Sequence, residues 1–194
     1  MGNIFDQQKF EILKCHYGRE AVVKEVNLNI TNSEFFEEFK DKIENDRKGE
    51  VAFAVERPNG KIIVVRTSFY PKTIYRIPTG GINHGEDIIE ALQREVKEEL
   101  GLQTNIEKFL GVIQFNILHK NKKLNFYSYL FWLKEIGGNI LEDALEDEVS
   151  EYKEVNKEQL IEIVNILKEF QGPWRNWCIF RAETTGFFIQ YMNV

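Results

Sequence analysis

Residues 80–102 constrain this chain more than any other stretch. From Glu86 to Leu102 six acids (Glu86, Asp87, Glu90, Glu95, Glu98 and Glu99) stand against two bases, Arg94 and Lys97. Ile89, Leu92, Val96 and Leu100 recur at helical spacing, acids fill the first turn and Gly101 follows the last, so the spacing predicts a helix over 87–100. On that helix Glu95, Glu98 and Glu99 lie at i, i+3 and i+4, where like charges cost about 0.2–0.5 kcal/mol per pair. A hard divalent cation offsets such crowding, because it prefers carboxylate oxygen and water and binds together with substrate phosphates. Glu95 and Glu99 flank the apolar strip beside Ile88 and Ala91, whereas Asp87, Glu90 and Lys97 fall on the solvent side. The acids are therefore expected to line an edge cleft.

Arg94 can hold a neighbouring carboxylate through paired N–H donors, and we read it as an orienting residue. The glycines before the helix, Gly80, Gly81 and Gly85, permit a tight turn and let backbone groups approach a metal or phosphate closely. Leu102 is placed to complete the C-cap against Val96.

These residues fit Gly-x5-Glu-x7-Arg-Glu-U-x-Glu-Glu-x-Gly-U at every fixed position, with Val96 and Leu102 as the aliphatic U. The segment resembles the Nudix box, and a chance full match is on the order of one in a million. Asn83 departs from the common Glu at a variable position. The resemblance implies an α+β fold, a Nudix-type α/β/α sandwich with a mixed central sheet, and Mg²⁺- or Mn²⁺-dependent hydrolysis of a nucleoside diphosphate linked to another group. Carried over by motif position, Glu95, Glu98 and Glu99 are expected metal ligands, joined by the Gly80 backbone. Glu151 resembles a position where some family members bring a further metal-linked Glu, with a solvated acid as the alternative. The catalytic set is Arg94, Glu95, Glu98 and Glu99. Glu95 is the first choice for general base, with Glu142, Glu146, Glu148 and Glu151 as loop alternatives.

Arg66 and Arg76 flank the loop entering the box and are candidates for gripping a substrate phosphate, against the alternative of surface salt bridges. Phe115, Tyr127 and Tyr129 could stack a base, but alternating aromatics on a strand are more often core. His84 is read as an exposed turn residue. Cys15 and Cys178 lack metal-ligand spacing and are read as free thiols in a reducing cytoplasm.

Elsewhere, β-branched clusters within residues 10–30 suggest two strands around a turn at Gly18 and Arg19. Phe35, Phe36, Phe39 and Ile43 predict an amphipathic helix over 34–43. Residues 50–57 and 61–67 form a hairpin through Pro58, Asn59 and Gly60, and residues 109–118 and 124–133 form another. A short strand at 149–155 and helices over 157–170 and 174–192 complete the chain. We expect one Nudix domain over 1–194, with an N-terminal extension of about 1–48 and a C-terminal helical segment of about 157–194. The aromatic C-terminus is expected to pack on the core, with a homodimer interface as the alternative.

A net charge of −6 disfavours a nucleic-acid partner, and the apolar runs are far short of the roughly 20 residues a membrane-spanning helix needs. Residues 1–6 show no export or lipidation signal. The expectation is a cytoplasmic hydrolase that cleaves a diphosphate linkage in a small nucleoside diphosphate derivative, such as ADP-ribose or another nucleotide sugar. Nucleoside triphosphates or dinucleoside polyphosphates are alternative substrates, and a non-catalytic nucleotide-binding regulatory module is the contrasting class.

Overall fold

A computed structural model describes residues 5–45, 47–144 and 148–192. In chain order it contains α1 (Gln7–Tyr17), β1 (Val22–Asn29), α2 (Ser33–Asn45), β2 (Arg47–Glu56), β3 (Ile62–Thr67), β4 (Thr79–Asn83) and α3 (Ile88–Glu95). A π-helical turn (Val96–Leu100) prolongs α3. Then follow β5 (Gln103–His119), β6 (Lys122–Gly137), β7 (Val149–Val155), α4 (Lys157–Glu169), α5 (Arg175–Phe187) and a 3₁₀ turn (Phe188–Tyr191).

The strands form one mixed sheet in the order β1-β5-β6-β2-β3-β7, with β4 paired antiparallel to the first half of β2. β1 runs parallel to β5 and β2 parallel to β6, while β5 and β6 form the long predicted hairpin. β2 explains the layering, because both of its faces are buried. Val51, Phe53 and Val55 join a core with Phe10 and Leu13 of α1 and with Ile88, Ala91 and Leu92 of α3. Ala52 and Ala54 face the other way, where their small size leaves room for Phe36 of α2, Leu160 of α4 and Phe180 of α5. Helices thus cover both faces of the sheet, which gives the expected α/β/α sandwich.

One local expectation is corrected. The first of the two strands within residues 10–30 is a helix: the Asp6 side chain accepts from the Lys9 amide at 3.0 Å, and Phe10 and Leu13 bury one face. The N-cap and the i, i+3 apolar pair outweigh the β-branched residues, which lie downstream in β1. Of the three glycines before the helix, Gly80 and Gly81 lie in β4, opposite Val51 and Glu50. The turn falls at Asn83 to Glu86, where the Glu86 amide donates to the Asn83 carbonyl and Gly85 takes φ +90°.

α2, the β2–β3 hairpin, β7, α4 and α5 are where the pattern predicts them. Phe115, Tyr127 and Tyr129 are buried core residues, and His84 is exposed. Among the described residues no helix is long and apolar enough to cross a membrane.

Candidate active site

The acidic helix is docked by its own cap and by its apolar face. Asp87 accepts from the Ile89 amide at 2.9 Å, and Ile88, Ala91, Leu92, Val96 and Leu100 are buried. At its C-terminus the helix widens into the π turn, a local irregularity frequent at functional sites, and stops at Gly101 in the left-handed conformation. Glu98 faces Arg94, and Glu99 turns into the protein with 2% of its surface exposed.

Arg94 is the hub. Its Nε donates to Glu86 Oε1 at 2.7 Å and one terminal nitrogen to Glu86 Oε2 at 3.0 Å and to the Gly81 carbonyl at 2.9 Å. The other donates to Glu95 Oε1 at 2.9 Å and to Glu98 Oε2 at 2.7 Å. One guanidinium therefore ties the helix to β4 and fixes three carboxylates. Glu86, bonded by Arg94, is held below the usual carboxylate range. Arg94 itself is held firmly protonated, chiefly by Glu86.

Glu95 moves the other way. Burial raises its proton affinity and outweighs the opposing hydrogen bond from Arg94. Burial pushes Glu99 up to about 8, with Arg76 opposing and Glu95 and Glu148 adding repulsion. Glu99 Oε2 is buried with no hydrogen-bond partner, as is Nε of Arg76. Such unsatisfied groups are costly. Among the described residues no three His, Cys, Asp or Glu side chains converge as a ready metal cage. The donor chemistry still suits a divalent cation, because a buried carboxylate oxygen without a partner lies beside two further glutamates.

Arg76 is 6% exposed, and it donates to the Ile77 carbonyl and to Thr79 Oγ1 while its charge acts on Glu99. Arg66 and Glu151 instead pair with each other across β3 and β7 at 2.9 Å, with the Glu151 side chain 45% exposed. Their ion pair and hydrogen bonds are with each other. Among the loop acids, Glu148 is the one whose charge reaches Glu99, Glu142 is exposed, and Glu146 lies outside the described residues.

Sequence reasoning missed a buried ion pair beside the box. Arg181 of α5 donates from one nitrogen to both oxygens of Glu50, at 2.9 and 2.8 Å, and Ser128 Oγ donates to the same carboxylate at 2.6 Å. Glu50 and Arg181 line a cavity of about 320 Å³ with Arg47, Phe35, Phe39, Phe69, Tyr70, Trp174 and Trp177. A larger cavity, about 560 Å³, lies at the opposite end of β2 around Glu56, Lys108 and Trp132.

Comparison with known proteins decides the family. The NUDIX domain model matches residues 46–178, a span that includes the whole Arg94 cluster.

The chain belongs to the Nudix family.

This Nudix chain is 28% identical over 124 residues to an ADP-ribose pyrophosphatase of Methanocaldococcus jannaschii, which covers 63% of this chain and 71% of that protein. It is 37% identical over 75 residues to Nudix hydrolase 7 of Arabidopsis thaliana, and there it spans about a quarter of the relative's length (26%) and 37% of its own. Its fold is similar to that of a NUDIX hydrolase from Nitrosomonas europaea, at a TM-score of 0.50 and 18% identity, covering 69% of this chain and 86% of that one.

Proposed function

We propose that this Nudix chain is a hydrolase that uses Mg²⁺ or Mn²⁺ to cleave the diphosphate linkage of a nucleoside diphosphate derivative, with ADP-ribose and other nucleotide sugars as the first candidates. The observation that carries this reading is the Arg94 clamp on Glu86, Glu95 and Glu98, next to a buried Glu99 oxygen that has no partner. The name of the Methanocaldococcus jannaschii relative points to the same substrate class.

Glu95, Glu98 and Glu99 would hold the cation, with the Gly80 backbone beside them. With Glu151 engaged by Arg66, the auxiliary acid is better assigned to Glu148. A divalent cation in such a site supplies Lewis-acid polarisation of phosphate oxygens and activation of water. Arg94 keeps Glu86 ionised and aims Glu98 through a hydrogen bond. Glu95, whose proton affinity is raised by burial, serves as the base that takes the proton of the attacking water. The water oxygen bonds to phosphorus as the bridging P–O bond breaks, leaving two phosphorylated products. Arg76 is the candidate for holding a non-bridging phosphate oxygen.

We further assign residues 1–194 to a single Nudix domain, with about 1–48 and about 157–194 as its N-terminal and C-terminal elaborations, and we place it in the cytoplasm. The test is release of phosphate or nucleotide from ADP-ribose, nucleotide sugars, dinucleoside polyphosphates and nucleoside triphosphates, each with Mg²⁺, Mn²⁺ or EDTA. Cleavage that EDTA abolishes supports the hydrolase and names its substrate class. Silence across the panel would favour a nucleotide-binding module without turnover.

A further inference from the structure

We propose that the 320 Å³ cavity between α2, the turn at residues 68–70 and α5 receives the ring-bearing half of the substrate. Its aromatic wall then decides which diphosphates this chain accepts. The inference rests on the diphosphate-hydrolase reading and adds where, and by which residues, the substrate is selected.

Position is the first argument. Arg47 and Glu50 line the cavity and lie on β2 opposite Asn83 and Gly81, the strand whose carbonyl Arg94 grips. The charge of Arg47 acts on Glu95, and that of Arg181 on Glu99. Buried Arg76 connects the two, because the charges of Glu99, Tyr70, Glu50 and Arg181 all act on it. The basic wall of the cavity is thus the wall that faces the box. A molecule with a ring in the cavity and a diphosphate beside Glu95, Glu98 and Glu99 would carry its negative charge past these arginines.

Lining is the second argument. Phe35, Phe39, Phe69, Tyr70, Trp174 and Trp177 supply flat apolar surface, and the Tyr70 and Trp177 rings lie 4.0 Å apart. Phe69 is 64% exposed, an unusual place for a large aromatic side chain unless something covers it. Stacking of a base on such rings is worth about 1–3 kcal/mol. The cavity's size suits one ring and its sugar, since it sits at the lower end of the roughly 300–1,000 Å³ typical of small-molecule sites.

Origin is the third argument. α2 precedes the matched span 46–178, and Phe180 and Arg181 follow it. Phe35, Phe39 and Arg181 of the cavity wall therefore come from segments outside the region the family model covers, while Phe69, Tyr70, Trp174 and Trp177 lie inside it.

The test is calorimetric titration of the full chain in EDTA with the α,β-methylene analogues of ADP, GDP, CDP and UDP. Methylenediphosphonate serves as the ring-free probe. At least one analogue should bind 10-fold or more tightly than methylenediphosphonate. That preference should fall 10-fold in Tyr70→Ala and several-fold in Phe69→Ala, whose exposed position leaves folding untouched. Analogues no tighter than methylenediphosphonate, or wild-type affinity in both variants, would overturn the proposal. Turnover on the metal panel without ring preference would sink this inference alone, and ring binding without metal-dependent turnover would sink the hydrolase reading alone.

Discussion

A Cβ on Gly80 would stand 1.9 Å from the carboxyl carbon of Glu95. The glycine of β4 is thus the floor on which that carboxylate rests, and β4 sets where Glu95 can point. Any side chain at position 80 must displace it.

Gly80→Ala is expected to lower turnover by roughly 100-fold or more, because misplacing a reacting group by about 1 Å already costs that much. The fold should survive, since the displaced atoms are the flexible end of a glutamate. Gly85→Ala is the control: its positive φ costs about 1 kcal/mol, but open space surrounds it. Steady-state kinetics and thermal melts of both variants check this, and normal turnover in Gly80→Ala would remove Glu95 from the mechanism.

Glu98→Gln should reduce turnover by several orders of magnitude with little change in melting temperature. The amide keeps the shape and can still accept from Arg94, but it is a poor ligand for a hard cation. Near-wild-type turnover with Mg²⁺ would show that Glu98 holds no metal.

Glu99 predicts a pH-dependent stability. Its pKa is raised from 4.5 in the reference state to about 8 in the folded protein, by burial first. Below about pH 4.5 both states are protonated and nothing is lost. Between about pH 4.5 and 8 the unfolded state gives up its proton while the folded state keeps it, so stability falls across that window and stays low above about 8. In EDTA, Glu99→Gln should therefore melt higher than wild type at pH 9, by a few kcal/mol in order of magnitude, and about equal to it at pH 4.5. Saturating Mg²⁺ should shrink the gap by stabilising only the wild type. A pH-independent difference between the two melting curves would show that Glu99 titrates normally.

The Glu50–Arg181 pair predicts a structural loss. Arg181→Leu leaves Glu50, 2% exposed, without its countercharge, a change that typically costs about 3–5 kcal/mol. For a chain of this size that corresponds to a fall in Tm of roughly 6–20 °C. Replacing both residues, as in Glu50→Gln with Arg181→Leu, should recover part of it. Calorimetry of the single and double variants measures the coupling, and a single-variant loss under about 2 °C would mean the pair adds nothing to stability.

The box helix was legible in the sequence because its signals are local. Asp87 as N-cap, the buried strip from Ile88 to Leu100 and Gly101 as the left-handed stop all act within a few residues, and Arg94 reaches Glu98 one turn away. The π turn was not legible. A pattern of 3.6 residues extends to Leu100 without a break, so nothing in the spacing marks the widened turn at Val96–Leu100. The N-terminal helix leaves a weaker trace, because Val22, Val23 and Val26 just downstream carry a strong β signal and its cap is the single Asp6 side chain.

By itself the sequence determined the family, the acidic cluster and its orienting arginine, since spacing along one helix sets which side chains share a face. Tertiary structure alone decided the rest. Glu50 meets Arg181 across 131 residues, α2 and α5 enclose a cavity with the turn at 68–70, and Arg66 pairs with Glu151 across β3 and β7. Those partners are chosen by strand order and by packing on both faces of the sheet, and contacts of that range leave no periodic trace along the chain.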